Sequence, residues 1–515
     1  MKKILSILLI LALLLSTGIT AALAAEEEKP TLTFWTSLAS DFASVMSDLD
    51  GNLFMQELQA RTGVDLVFQH PAVGQEKEQF NLMIASRELP DIIEYNWSGY
   101  QGGIQKAIDD GIILPLNDLI AEHAPNYTKF LEENPDLARQ MKTDSGIIPV
   151  FAAYSVSDYN CTTGFQIRQD WLDEYDLELP STIAEWEDVL TKLVEEKDLV
   201  CGLAIDSAKL MGDLIVGAWD IGSTYYMDNG VVKYGPVQEP YIDFLTTMKR
   251  WYDNGLLDPD VAACNTKTMV SYMINNEAAA YIGNAGGNMG DIYTAIEIKG
   301  DDTFNLVGLP YPVVEEGAEN NFCNLGWEYR GSGSGAITTA CKDPALACKV
   351  LDYIYSDEGR ILKSFGVEGV SFNYIDGKPI YAEVITNNPD GLTMAQALAK
   401  YVRANNPYIG LIETGYHEQY FKRPVQKAAV KEWNLWVDNT KETKLPKITL
   451  TSEESQEVAT TLTLLDDYRQ EMIVKFIMGQ EPLENYPAFV EHLNELGLQR
   501  VLEIYQDAYD RYVKR

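Results

Sequence analysis

The chain has 515 residues, 46% of them hydrophobic and 23% charged, which excludes a disordered or fibrous polymer. Its 40 Lys and Arg stand against 77 Asp and Glu, a formal charge of −37. Binding nucleic acid or anionic lipid needs a basic face, so this balance argues against both, and its simplest role is solubility. At roughly 150 residues per domain the length predicts two to four domains with a large buried core.

Residues 1–25 read as a secretion signal. Lys2 and Lys3 give a positive start, Ile4 to Leu15 is apolar except for Ser6, and Ala22-Leu23-Ala24 is a small-x-small cleavage site. The run is too short to span a bilayer well, and no later stretch is apolar for long enough, so the expectation is an exported chain without a membrane helix. Cutting after Ala24 removes two lysines and leaves 38 − 77 = −39.

Thr31 to Trp35 alternates and is rich in β-formers, so it predicts a first strand. A helix is expected from Leu53 to Thr62, ended by Gly63, then a strand over Val64 to Phe68. A helix over Gln79 to Ala85 and a strand over Asp91 to Tyr95 complete a β-α-β-α-β rhythm, which implies a parallel, helix-covered sheet. Pro115 to Asn134 is a loop and helix region, and Ile147 to Phe151 reads as a strand leaving the first lobe. Phe165 to Arg168 is a strand followed by a helix over Asp170 to Tyr175. Thr182 with Glu185 three later is a capping-box pattern that opens a helix to about Glu196. Further helices are expected over Tyr241 to Asn254, Pro344 to Tyr355, Glu453 to Met478, Pro487 to Leu496 and Leu498 to Val513. Phe304 to Leu309 reads as a strand that crosses between lobes, and Gly331 to Gly335 as a flexible loop.

Six cysteines (161, 201, 264, 323, 341 and 348) permit disulfides in an exported chain but are too sparse for a framework. Cys341 and Cys348 on one predicted helix would sit about 10 Å apart, too far for a bridge. Most read as small buried hydrophobes. Catalytic motifs are missing. The four histidines lack metal-ligand spacing, and H-E-x-x-H, the Walker pattern, the EF-hand pattern and a G-x-S-x-G elbow are absent. The 77 acids supply many carboxylate pairs, and none stands out for glycoside hydrolysis. The reading is no catalytic residue, no metal and no cofactor.

Aromatic residues at strand ends do stand out. A sugar presents an apolar C–H face and a rim of hydroxyls, so it wants flat rings beside polar groups in a concave cleft. In open sheets that cleft lies beyond the carboxyl ends of the strands. Trp35, Trp97, Tyr154, Trp219 and Trp327 are the candidate platforms, and Asn96, Asn160, Asp220, Tyr329 and Arg330 the candidate polar neighbours. Core packing competes for each ring, most strongly at Trp171, Trp186, Trp433 and Trp436 in helices.

The ordered motifs resemble a known family. They run from the Thr31–Trp35 strand and Arg61–Val64 through Ala85–Ile93 (similar to A-S-G-x-x-P-D-I) and Leu114–Ile120 (L-x-P-L-x-D-L). Ile167–Asp173 (I-R-x-D-W-L-D), Leu179–Trp186, Asn254–Asp260, Asn276–Tyr281, Leu351–Gly359 and Gly366–Val370 follow in order. The chain resembles the extracellular solute-binding proteins of ABC transporters, family 1, in their large sugar-binding Gram-positive branch.

That resemblance implies an α/β, two-lobed periplasmic-binding-protein fold of type II, hinged, with a helical C-terminal extension. It implies lobe 1 over 26–148 plus 310–365 and lobe 2 over 149–309 plus 366–515, with crossovers near Pro149, Leu309 and Gly366. It implies a monomer that binds an oligosaccharide without chemical change and serves an ABC permease. Two features depart from the family. The leader lacks a lipobox cysteine, since the first cysteine is Cys161, which leaves open release or tethering by a partner. Glu195 to Gly202 lacks the alternating ligands of the calcium loop seen in some long relatives, so no calcium is expected there. Two alternatives stay open: the same fold binding a peptide or other solute for import or sensing, and a secreted carbohydrate-active enzyme.

Overall fold

Fourteen strands enter two large sheets and two hairpins in the computed structural model, which describes residues 29–326, 329–404 and 408–515, and the backbone alone of Ser40, Ser98 and residues 329–332. The strands are β1 (Thr31–Thr36), β2 (Asp65–Gln69), β3 (Ile92–Tyr95), β4 (Phe151–Ser155), β5 (Thr163–Arg168), β6 (Cys201–Ala204), β7 (Tyr225–Asp228), β8 (Val231–Tyr234), β9 (Ala278–Asn284), β10 (Leu306–Leu309), β11 (Tyr329–Ile337), β12 (Phe372–Ile375), β13 (Lys378–Tyr381) and β14 (Gly410–Ile412). The expected leader lies outside the described residues.

The first sheet has the order β14-β4-β11-β3-β1-β2 and the second β10-β5-β9-β6. β1 pairs in parallel with β2 and β3, as the β-α-β rhythm requires. β11 then enters antiparallel between β3 and β4, so the sheet is mixed. In the second sheet β5 runs antiparallel to β9 and β10, and β6 parallel to β9.

Local chemistry explains the element ends. Asn52 caps the helix Leu53–Thr62 by accepting from the Met55 N–H, and Gly63 ends it in the left-handed region at φ 70°. Thr182 and Glu185 form the expected reciprocal capping box on Ile183–Glu196. Hydrogen bonds from the backbone N–H groups of Ser181 and Thr182 hold the Glu185 carboxyl down at about 2.

Each sheet anchors its own core. One runs from Leu32 to Leu411 around the first sheet, the other from Cys161 to Ile504 around the second. Sheet membership moves two of the expected lobe boundaries. β4 continues the first sheet, so the chain leaves lobe 1 after Ser155 and not at Pro149. β14 pairs with Ala153–Ser155, which draws residues 366–412 into lobe 1 in place of lobe 2. The chain passes from one sheet to the other between Ser155 and Thr163 and between Leu309 and Tyr329, and it leaves the first sheet again after Ile412.

Three local expectations also change. Residues 147–150 are not strand, because β4 begins at Phe151. Gly331 to Gly335 is not a loop but the middle of β11, with a register shift between Arg330 and Gly335. A Cβ on Gly335 would lie 2.3 Å from the end of the Ile409 side chain, which would have to turn away. Cys341 precedes the helix Pro344–Tyr353 that carries Cys348, so the two do not share a helix.

The helical extension packs on lobe 2. The helix Pro424–Trp433 lies across β5 and β10, with the fully buried Trp433 against Gly164 and Ala429 against Gly308. The helices Ser452–Ile477 and Leu498–Val513 also reach lobe 1. Ser452 Oγ donates to Asp109 at 2.5 Å, and Arg511 and Arg515 both pair with Asp144.

Candidate functional site

The strand directions put one edge of each sheet toward a common gap. β1, β2, β3, β4 and β14 all run the same way, so Thr36, Gln69, Tyr95, Ser155 and Ile412 end on one edge, where β11 begins. In lobe 2, β6, β9 and β10 end together where β5 begins at Thr163. The three crossings leave from these edges. Both edges thus face an interlobe cleft with the crossings at its base, the place where open sheets bind ligands.

On the lobe 2 wall a cavity of about 680 Å³ is lined by Thr163, Asp206, Lys209, Asp213, Ser223, Asn265 and Asn324, among others. A second, of about 360 Å³, shares Asp213 and Asn324 and adds Tyr225, Tyr226, Lys444 and Lys447. A third shares Lys447 and reaches Tyr100 to Ile104 of lobe 1. The three cavities thus adjoin through shared lining residues, with Tyr225 and Tyr226 in the second and Tyr100 in the third.

Backbone geometry fixes the polar groups of these cavities. Asp206 follows β6 and caps Ser207–Leu210, accepting from the Lys209 N–H at 2.8 Å, and its carboxylate also pairs with the Lys209 ammonium. Asn265 caps Thr266–Asn275 through Lys267 N and Thr268 N. Asp213 accepts from the Ser223 N–H at 2.7 Å. Side chains held this way lose little freedom when they bind a hydroxyl.

Lys444 lines the second cavity and donates to the Leu325 carbonyl at 2.5 Å. Burial, the largest cause, pushes its ammonium down to about 8. The folded pKa is depressed, so the unfolded chain binds the extra proton more readily. Stability contributed through this group is therefore missing below pH 8 and appears as pH rises toward the unfolded lysine value of about 10.4. Comparing urea midpoints of wild type and Lys444→Met at pH 7.5 and 9.5 should show the wild type gaining relative to the variant at the higher pH. No relative gain would mean the charge is solvated.

Four of the five candidate platforms are buried. Trp35 is 5% exposed and packs on Phe80 and Tyr95, and the fully buried Trp97 meets Phe80 edge-on. Tyr154 is fully buried against Phe130, and Trp219 is 9% exposed against Phe244. These rings close their own lobe's core and present no stacking face in this conformation. Asn96 is exposed at the end of β3, and Asn160 is half-buried in the first crossing. Asp220 is exposed, in the left-handed region at φ 56°, and accepts from Asn321 at 2.8 Å. Tyr329 and Arg330 stand opposite Tyr154 and Ala153 in the sheet, but their side chains and Trp327 lie outside the described residues. The expected set thus divides between cleft edge and core, and sequence reasoning missed Asp206, Asp213, Asn265 and Asn324. For Asp206 and Asn265 the one signal was a helix N-cap, and Asp213 and Asn324 carry none. Among the described residues no three His, Cys, Asp or Glu side chains are placed to hold a metal ion.

The sequence profile of the bacterial extracellular solute-binding proteins matches residues 47–361, more than half of the chain. The chain belongs to that family. This solute-binding protein is 22% identical over 368 residues to lipoprotein LipO of Bacillus subtilis, covering 69% of the chain and 70% of LipO. It is 21% identical over 470 residues to the polygalacturonan/rhamnogalacturonan-binding protein YtcQ of the same organism, covering 88% and 87%. Its fold matches the alginate-binding protein AlgQ2 crystallised without calcium, with a TM-score of 0.76, 23% identity and coverage of 95% and 99%. It also matches the Streptococcus pneumoniae substrate-binding protein FusA in complex with kestose, with a TM-score of 0.73, 18% identity and coverage of 94% and 99%. The two-lobed fold is the one these solved structures share. No helix among the described residues of this solute-binding protein is long and apolar enough to cross a membrane.

Proposed function

We propose that this solute-binding protein captures an oligosaccharide between its lobes and delivers it, chemically unchanged, to an ABC permease. The observation that carries the reading is the set of adjoining cavities that runs from Thr163 at the start of β5 to Tyr100–Ile104 of lobe 1, with tyrosines along it and Asp206 and Asn265 fixed as helix caps. Relatives named for polygalacturonan, alginate and fructo-oligosaccharide binding support the ligand class. The leader-like residues 1–25 support export to the outer face of the membrane, with release or tethering by a partner in place of a lipid.

The test is a melting-temperature screen of residues 25–515 against fructo-, galacturono- and alginate oligosaccharides and against short peptides. A ligand at 100 times its dissociation constant adds about 2.7 kcal/mol to the folded state. A shift with one sugar class, and recovery of that sugar intact, is the expected result. A shift with peptides alone would replace the sugar reading, and cleavage of the sugar would make the chain an enzyme. With the sugar in hand, Asp206→Asn keeps the cap acceptor but removes the charge, so affinity should fall about 10–100-fold with little change in melting temperature. Unchanged affinity in both Asp206→Asn and Asp213→Asn would move the ligand off this wall.

A further inference from the structure

Two of the three crossings between the lobes carry a cysteine. Cys161 lies at the end of the first and Cys323 late in the second, 162 residues on. Their Sγ atoms are 3.3 Å apart, and the side chains are 0% and 2% exposed. Lobe 2 fixes the backbone at both. Asn434 accepts from the N–H groups of Asn160 and Cys161 at 3.1 and 3.0 Å and donates to the Cys161 carbonyl at 2.8 Å. Thr440 Oγ1 accepts from the Cys323 N–H at 2.9 Å and donates to its sulfur at 3.0 Å. With the backbones held, closing the sulfurs to a bond of about 2.05 Å needs a side-chain movement of roughly an ångström. The pair is also polarised. The Cys161 S–H bond to Cys323, aided by Thr440 and the nearby Lys444, holds the Cys323 thiol below its usual range. The same hydrogen bond, with burial, pushes Cys161 up.

We propose that Cys161 and Cys323 are joined by a disulfide in the exported protein, tying two interlobe crossings to each other at the base of the cleft. The proposal rests on the export reading, because that is where thiols meet oxidants. Two S–H bonds are lost and one S–S bond forms. The thiolate of one of the two cysteines attacks the disulfide of a thiol oxidoreductase, one of whose sulfurs leaves as a thiolate. The other cysteine then gives its proton to solvent and displaces the second sulfur, so the two electrons end on the oxidant's dithiol. Both sulfurs are buried, so this happens before the lobe 2 core closes.

Both sulfurs sit in the lobe 2 core, so the bond would not lock one lobe to the other. The chain between β4 and Cys161 stays outside the bond. Reduction should therefore lower the melting temperature by about 5 °C through the freed unfolded chain, while ligand affinity stays within about twofold.

The decisive experiment maps thiols. Residues 25–515 are reduced, denatured, refolded in oxidised and reduced glutathione, alkylated under denaturing conditions and digested. The expected result is one linked peptide pair, Cys161 with Cys323, and 6 − 2 = 4 alkylated cysteines. Six alkylated cysteines, or a different dominant pair, would overturn the proposal. Cys323→Ser should leave all five remaining cysteines alkylated. The same mapping on full-length chain secreted by a bacterial host, with its N-terminus read by mass, separates the two readings. A secreted chain beginning at Ala25 with both thiols free would also overturn the proposal, whereas a chain that is not secreted yet links on refolding would fail the export reading alone.

Discussion

Arg403→Met should destabilise lobe 1 by about 3–5 kcal/mol. Arg403 and Glu94 form an ion pair at 2.9 Å with side-chain exposures of 3% and 1%. The Glu94 carboxylate also accepts from Thr36 Oγ1 at 2.6 Å and from the Ile409 N–H at 2.8 Å, and the Arg403 guanidinium stacks 3.4 Å from the centre of the Tyr408 ring. One pair thus joins β1, β3 and the segment that leads into β14. Removing the cation leaves a charge that water cannot reach. The double variant Arg403→Met/Glu94→Gln removes both charges and should recover most of the loss, which is the signature of a penalty for burial of an unpaired ion. Denaturant midpoints with hydrogen exchange at β3 and β14 read the effect. The exposed pair Arg500–Glu457, with exposures of 52% and 47%, supplies the control, since breaking it should cost less than about 1 kcal/mol. Equal losses at the two sites would show that the Glu94 region is wet.

Trp433→Ala should cost lobe 2 a similar amount, about 3–5 kcal/mol, by a different mechanism. The ring is fully buried, and its Nε1 donates to the Phe165 carbonyl at 3.3 Å. It lies so close to β5 that a Cβ on Gly164 would sit 2.4 Å from the ring. Truncation opens a cavity bounded by strand backbone, which cannot collapse as a flexible side chain would. Faster exchange of the β5 and β10 amides, with lobe 1 amides unchanged, is the expected pattern. Uniform loosening of both lobes would show that the extension does not belong to lobe 2 alone.

Elements that report themselves locally were legible in the sequence. Leu53–Thr62 has a cap at one end and glycine at the other, and Thr182 with Glu185 announces its helix by reciprocal hydrogen bonds. β11 was not legible, because Gly331 to Gly335 alternates only glycine with serine, has no apolar face, and becomes strand only through distant partners, β3 and β4. β14 has three residues, too few for a periodic signal, and its pairing with β4 decides where residues 366–412 belong. At the site, strand-end position located the cleft edge but not the direction of each ring. Trp97 follows β3 as expected and turns inward on Phe80. Asp206 and Asn265 were invisible for the opposite reason, since an N-cap that lines a cleft looks the same in sequence as one that faces bulk water.

The arginines that reach from lobe 2 to Asp144 make the solution itself a tuning knob. Arg511 and Arg515 converge on this one carboxylate, and Arg515 also donates to the Lys142 and Arg139 carbonyls. The guanidinium of Arg511 is about one-third exposed, so dissolved ions reach the contact. The screening length shrinks from about 10 Å at 0.1 M salt to about 3 Å at 1 M. Rising electrolyte therefore loosens the Arg511 part of this tie between the extension and lobe 1, and the balance between the lobes becomes a function of the medium.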